Sequence, residues 1–322
     1  MKFSNKLSLL MLLMIALGTV SCDKKIFDDL SECPQGVIFK FHTQTPCQSA
    51  PSYPLAIKET RIFAFNESDV LITNMDTKDV VLDKDYQLIT DYLHVGTSSF
   101  IAWGGEDLSK YDFSDFEAGK TTKSEMMISL KRQADQANAD MPHLYVGTPI
   151  NGNLTQKDYR NLGTHYDTVD FRMQQLTNIV RLTVRGLNPA HQYSVKILAA
   201  NSKYDLMGES IQDTRFTYIS PNSEQIEGDL KADFRLLKLE HNKDIKLMVT
   251  DLTTDKVIYS ADLVDDLIAY QGKFGTSPIN LECEHNFVVV LDITPTEESE
   301  DTYMAVKATI NQWNLVFRDV AL

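Results

Sequence analysis

Ile179-Val-Arg-Leu-Thr-Val-Arg185 alternates without a break: Val180, Leu182 and Val184 fall on one face, Arg181, Thr183 and Arg185 on the other. Successive Cβ atoms of a strand point to opposite sides of its sheet, so this period of two predicts a strand with one buried face. Val37–Phe41 reads the same way, with Val37, Phe39 and Phe41 sharing a face. Similar short runs stand at Arg61–Phe65, Val70–Thr73, Phe100–Trp103, Met126–Leu130, Leu144–Val146 and Thr168–Met173. Beyond Arg185 they recur at Tyr193–Leu198, Phe216–Ile219, Phe234–Leu239, Ile245–Thr250 and Lys256–Tyr259. Phe287–Ile293, Met304–Ile310 and Leu315–Val320 close the series. Many short strands separated by Asn, Asp, Gly and Pro predict an all-β protein built of antiparallel sandwiches. The strand–helix alternation of a parallel sheet is missing.

One helix is expected. Leu263, Leu267 and Tyr270 share a helical face, Asp262 is placed to cap it and Gly272 to end it. Gly104–Thr122 is polar and turn-rich and predicts a long loop. The polar run Asn151–Asp167 precedes the densest block of strands, which predicts a domain junction just before Thr168. Two domains suit a chain of 322 residues, more than one core comfortably holds.

The N-terminus predicts export. Lys2 and Lys6 precede an unbroken apolar run, Leu9–Leu17, and small residues lead to Cys22. This is the layout of a secretory leader, with an apolar run too short for a spanning helix. A small residue directly before cysteine marks the lipoprotein variant, in which the leader 1–21 is removed and Cys22 is acylated. Thr19 departs from the leucine usual three positions before that cysteine. Two or three acyl chains, at ~0.8 kcal/mol per buried CH₂, hold a protein at a membrane almost permanently. Loss of Lys2 and Lys6 takes the net charge from −14 to about −16. A surface this acidic repels nucleic acid, which is excluded as a partner.

Chemistry is sparse. The seven histidines (42, 94, 143, 165, 191, 241 and 285) show no zinc-ligand spacing. Gly96-Thr-Ser-Ser and Gly275-Thr-Ser-Pro fail the nucleophile-elbow pattern and read as turns. No phosphate-binding glycine loop occurs. Asp76, Asp79, Asp83 and Asp85 carry calcium-type oxygens but lack the calcium-loop pattern, so a solvated face is favoured. Trp103 and Trp313 are placed to stack on a sugar, yet each lies in or beside an apolar strand, which favours core packing. No metal site, cofactor or catalytic residue is expected, and the protein reads as a non-enzyme. Of the remaining cysteines, Cys33 and Cys47 flank the first strand. At ~3.3 Å per residue that strand carries them too far apart for an easy bridge, which needs Cα atoms within ~7 Å. Free or separate thiols are favoured for Cys33, Cys47 and Cys283.

Ser21-Cys-Asp-Lys-Lys-Ile-Phe-Asp-Asp-Leu-Ser-Glu-Cys-Pro-Gln-Gly-Val-Ile-Phe-Lys-Phe41 resembles the start of the mature fimbrial anchor lipoproteins of Bacteroidales, the FimB and minor-fimbrium anchor type. In that family a lipidated Cys, an Asp-Leu pair and a Cys-Pro-x-Gly turn lead into the first strand. Arg61-Ile-Phe-Ala-Phe-Asn66, Phe100-Ile-Ala-Trp-Gly-Gly105, Val169-Asp-Phe-Arg172 with Thr177-Asn-Ile-Val-Arg-Leu-Thr-Val184, and Ile310-Asn-Gln-Trp-Asn314 are similar to the same family. Gln312 departs from it, standing where Gly is expected. The resemblance implies two transthyretin-like β-sandwiches in tandem, read here as residues 33–167 and 168–322 behind a tether of 22–32. It also implies no enzymatic activity. The expected location is the cell surface, lipid-anchored in the outer membrane, with Asp28 and Asp29 similar to acidic surface-export signals of the phylum. The implied partner is the shaft subunit (fimbrillin) of a type V pilus. Shaft subunits of such pili lose their first strand to an arginine-specific protease and accept a neighbour's strand in the groove. Here no arginine precedes Arg61. The first strand is therefore expected to stay, and the chain to end the pilus on the membrane side. The alternative is a surface glycan-binding lipoprotein.

Overall fold

The structure is a computed structural model and describes residues 33–92, 94–137, 140–157, 163–270, 279–296 and 299–316. The leader, Cys22 and the tether lie outside the described residues, as do Gly272 and Gly275-Thr-Ser-Pro. Nothing is described of the Trp313 side chain.

Among the described residues, twenty-four strands carry the fold. The first six are β1 (Gln35–Thr43), β2 (Glu59–Phe65), β3 (Leu71–Thr77), β4 (Leu88–Thr90), β5 (Gly96–Gly105) and β6 (Tyr111–Phe113). Then come β7 (Met127–Leu130), β8 (Arg132–Gln133), β9 (Gln136–Ala137), β10 (Leu144–Pro149), β11 (Leu154–Gln156) and β12 (His165–Gln175). The second half begins with β13 (Thr177–Arg185), β14 (Tyr193–Ala199), β15 (Lys203–Asp205), β16 (Ser210–Ile211), β17 (Phe216–Tyr218) and β18 (Asn222–Ile226). It closes with β19 (Asp229–Leu237), β20 (Lys246–Asp251), β21 (Lys256–Asp262), β22 (Asn286–Thr296), β23 (Ser299–Ile310) and β24 (Trp313–Val316).

The all-β class is as expected. The first sheet runs β3-β2-β5-β10-β12-β1-β4, with β11 added on β5. A second sheet runs β18-β19-β13-β22-β23-β24 and a third β21-β20-β14-β17-β9-β8. A fourth, of β16-β15-β7-β6, joins strands from both halves of the chain. Most pairs are antiparallel, but the first strand of each half has a parallel partner: β1 lies along β12 and β13 along β22. A parallel neighbour cannot be reached by a hairpin, and here the crossover is an entire half of the chain.

Alternation assigns the faces. Phe63, Phe65, Ile101, Trp103, Leu144 and Val146 turn one face of the first sheet into a large core shared with Tyr204 and Leu206 of the second half. Val37, Phe39, Phe41, Ile62, Phe100, Val169 and Phe171 turn the other face into a separate core closed by Ile57, Val80 and Leu82. Within the second half, Val180, Leu182 and Val184 face Val195, Ile197 and Val249 across one continuous core. Arg181 and Arg185 are exposed, as their alternation predicts.

Several local expectations are corrected. Gly104–Thr122 is not one loop, because Tyr111–Phe113 forms β6, with Tyr111 buried and its hydroxyl donated to the Pro142 carbonyl at 2.8 Å. Gly96-Thr-Ser-Ser is the start of β5 rather than a turn. β12 runs unbroken through the junction expected at 167/168, paired with β1 from His165 to Met173, and the next sheet starts at Thr177. The expected helix is a single wide turn, Leu263–Ile268, closed by Ala269 N–H donating to the Val264 carbonyl. Asp262 does cap it, accepting from the amides of Val264 and Asp265 at 2.9 and 2.8 Å. The wider turn buries Leu263, Val264, Leu267 and Ile268 and leaves Tyr270 exposed. Gln312 has φ +76° and Asn311 φ +46° in the turn between β23 and β24. Left-handed backbone at both positions is why Gly is the easier residue there.

The two halves also meet through polar groups. Arg132, which opens β8, reaches Asp213 at 3.1 Å. Burial pushes the Asp213 carboxyl up, but hydrogen bonds from Ser202, the Thr214 amide and Lys203 outweigh it and hold the group at about 2. His143 sits with Thr177 (Nδ1 to Oγ1, 2.9 Å) and His285 with Asn178 (3.4 Å), all at the joint between β12 and β13. Burial lowers the pKa of both imidazoles below the ordinary 6.5, assisted at His285 by Lys238. Lowered histidines bind fewer protons folded than unfolded, so their contribution is complete above pH 6.5 and is lost as pH falls from there through the folded values. Urea unfolding at pH 7.5 and pH 5 should show lower stability at pH 5. The double variant His143→Gln/His285→Gln should lose less between those two pH values. An identical loss in the variant would place the pH dependence elsewhere.

Candidate groove-closing strand

β1 is the strand on which the anchor expectation turns. Its alternation drives Val37, Phe39 and Phe41 into the smaller core, at 0%, 0% and 2% exposure. There Phe39 and Phe41 stack on Phe171 with centroids 5.8 and 5.4 Å away, and Phe39 meets Phe100 edge-on at 5.4 Å. Burial of a large apolar side chain stabilises by ~1.5–3 kcal/mol, so these three contribute about 5–9 kcal/mol, comparable to the net stability of a whole domain. Spontaneous departure of the strand is thereby suppressed.

Its backbone is held on both sides. All nine residues of β1 pair with His165–Met173 of β12, and Val37–Phe39 pair with β4. Beyond β4, Thr43 exchanges two backbone hydrogen bonds with Ser52, each 2.8 Å. Gly36 is required by this crowding, since a Cβ there would collide with the Thr90 carbonyl. On the opposite face, His42 Nδ1 lies 3.0 Å from Asp170 Oδ1. The Cys-Pro-x-Gly segment is thus partly strand: Pro34 is exposed, whereas Gln35 is buried and donates to the Gly163 carbonyl at 2.8 Å.

Arg61, the first arginine of the chain, sits in β2 between β3 and β5, opposite Asp76 and Trp103. Its guanidinium makes a two-pronged contact with Asp76, both distances 2.7 Å, and lies over the Phe113 ring at 4.6 Å. That pairing removes Asp76 from the acidic cluster. Asp83 caps its own turn through the Asp85 amide, and Asp85 meets Lys84. Among the described residues no group of three or more His, Cys, Asp or Glu is placed to hold a metal ion. Trp103 is fully buried and its Nε1 donates to the Leu206 carbonyl at 3.1 Å, which removes it as a sugar platform.

The thiol expectation is corrected. Cys47 and Cys283 form a disulfide with Cα atoms 5.8 Å apart, and Cys33 is free. β1 does separate Cys33 from Cys47, as its length requires. The partner comes instead from a turn 236 residues away that the fold returns to the end of β1. No local spacing could show that.

Residues 30–319 match the family described as fimbrillin-A associated anchor proteins Mfa1 and Mfa2. The chain is 29% identical over 300 residues to the minor fimbrium anchoring subunit Mfa2 of Porphyromonas gingivalis, covering 92% of this chain and 90% of that protein. The solved structure of the fimbrial anchor protein Mfa2 from that organism superposes with a TM-score of 0.76 at 26% identity, over 88% of this chain and 99% of the other. A candidate polysaccharide-binding protein of Bacteroides thetaiotaomicron shares the fold, with a TM-score of 0.73 at 18% identity over 89% and 99% of the two chains. The ordered motifs and the match over nearly the whole length agree: this chain belongs to the family of fimbrillin-associated anchor proteins.

Proposed function

We propose that the protein is the membrane-side end of a type V pilus, tied to the outer membrane by acyl chains on Cys22 and bound to a shaft subunit by strand contacts. The carrying observation is β1 itself, paired along its length, buried on its core face and preceded by no arginine. A groove already filled by its own strand accepts none from a neighbour, so growth stops at this subunit. Export, cleavage before Cys22 and lipidation supply the other end of the link, and the mature protein faces outward from the cell. In this reading Leu176, between β12 and β13, marks the junction of the two units. The burial of Trp103 weighs against the glycan-binding alternative.

Lipidation is tested by metabolic labelling. Radiolabelled palmitate should enter the wild-type protein and not Cys22→Ala, and the variant should leave the membrane fraction. Equal labelling of the two would refute attachment at Cys22.

A further inference from the structure

We propose that the Cys47–Cys283 bond is a mechanical stop, which limits how far the chain pays out when the membrane end and the pilus are pulled apart. The proposal rests on the anchor reading, since only an anchor is loaded in this way. Pull applied at residue 22 reaches β1 first, the first strand of the described chain. Force along β1 shears its full-length pairing with β12. If β1 yields, an unlinked chain would next feed out through β2 and the rest of the first sheet. The disulfide interrupts that route.

Cys47 lies just past the end of β1, and Cys283 lies in a turn, closed by its amide on the Asn280 carbonyl, just before β22. β22 is an interior strand of the second sheet, between β13 and β23, and its Phe287, Val289 and Leu291 are fully buried. Load leaving β1 therefore passes covalently into the centre of the second half. The residues between the two cysteines are taken out of the line of tension. At ~3.3–3.6 Å per extended residue, release from Gln35 to Cys47 yields only ~45 Å, whereas a chain without the bond can pay out a further ~800 Å over the 236-residue separation. A stop of this kind keeps the first half from unravelling after β1 slips, and lets it re-form when tension falls.

The test stretches the unlipidated mature chain between a handle at position 22 and one at the C-terminus, first in oxidising buffer and then in dithiothreitol. Full extension in oxidising buffer should fall short of that in reductant by ~800 Å, and the step that follows loss of β1 should not exceed ~45 Å. Equal extensions in the two buffers would overturn the stop. Using one wild-type protein in both buffers makes the result independent of whether cysteine variants fold. In cells, Cys47→Ser/Cys283→Ser should hold fibrils in still medium and shed them several-fold faster than wild type under flow. Equal shedding under flow overturns the stop and leaves anchoring intact. Shedding by the variant in still medium also overturns it, because the bond would then serve the fold rather than the load. A wild-type protein that holds no fibrils overturns the anchor reading, and with it the proposal, while the stretching result would still report the bond.

Discussion

Trp103→Ala should lower stability by about 3–5 kcal/mol, the range for removing a large aromatic from a packed core. The indole is fully buried, meets Phe113 edge-on at 6.1 Å and lies 6.4 Å from Tyr204. Truncation opens a cavity against both neighbours and leaves the Leu206 carbonyl without its indole donor, itself a cost of about 1–3 kcal/mol. Trp103→Phe separates the two effects by keeping most of the volume and losing the hydrogen bond. It should fall between wild type and the alanine variant. Because β5 belongs to the first half and Tyr204 and Leu206 to the second, both halves should weaken together in one shifted urea transition. A loss below about 1 kcal/mol would mean that the ring is not in a core, and would revive its reading as a sugar platform.

The same residues show how far the sequence could be read. Alternation identified the buried faces of β1 and β13 correctly, because the period of two follows from backbone geometry and needs no knowledge of neighbours. It was silent on which strands lie side by side. Nothing in Val37–Phe41 announces that its partner is His165–Met173 in parallel register, since pairing is decided by the whole chain. Polar stretches misled for a related reason. The first residues of β12 are short of apolar side chains and β6 is a three-residue strand set in a polar stretch, yet their backbones are needed to complete sheets. The interleaving of β6 to β9 with β15 to β17 lay equally out of reach, as these pieces run only two to four residues and carry almost no periodic signal. The family was legible further than the topology was, because its ordered motifs are local and run over nearly the whole chain.

Arginine-specific proteolysis should leave the native mature protein intact at its N-terminus. A protease of this class must draw an extended segment into its cleft, and the first arginine it meets is Arg61, whose backbone is paired on both sides within the first sheet. Reaching it requires opening of the sheet, so cleavage there tracks the small population of opened molecules. Pro34→Arg changes this. Position 34 is exposed at the approach to β1, unlike Gln35, which is buried and already in the strand. The variant should be cut within a time that leaves wild type whole, and the cut should free the folded body from its lipid. Mass spectrometry of the released N-terminal fragment gives the site, and membrane fractionation gives the detachment. With β1 still in the groove after such a cut, the freed protein should remain unable to accept a shaft strand. Wild-type protein cut at Arg61 while still holding pili would defeat the closed-groove account, because the strand that fills the groove would then be dispensable.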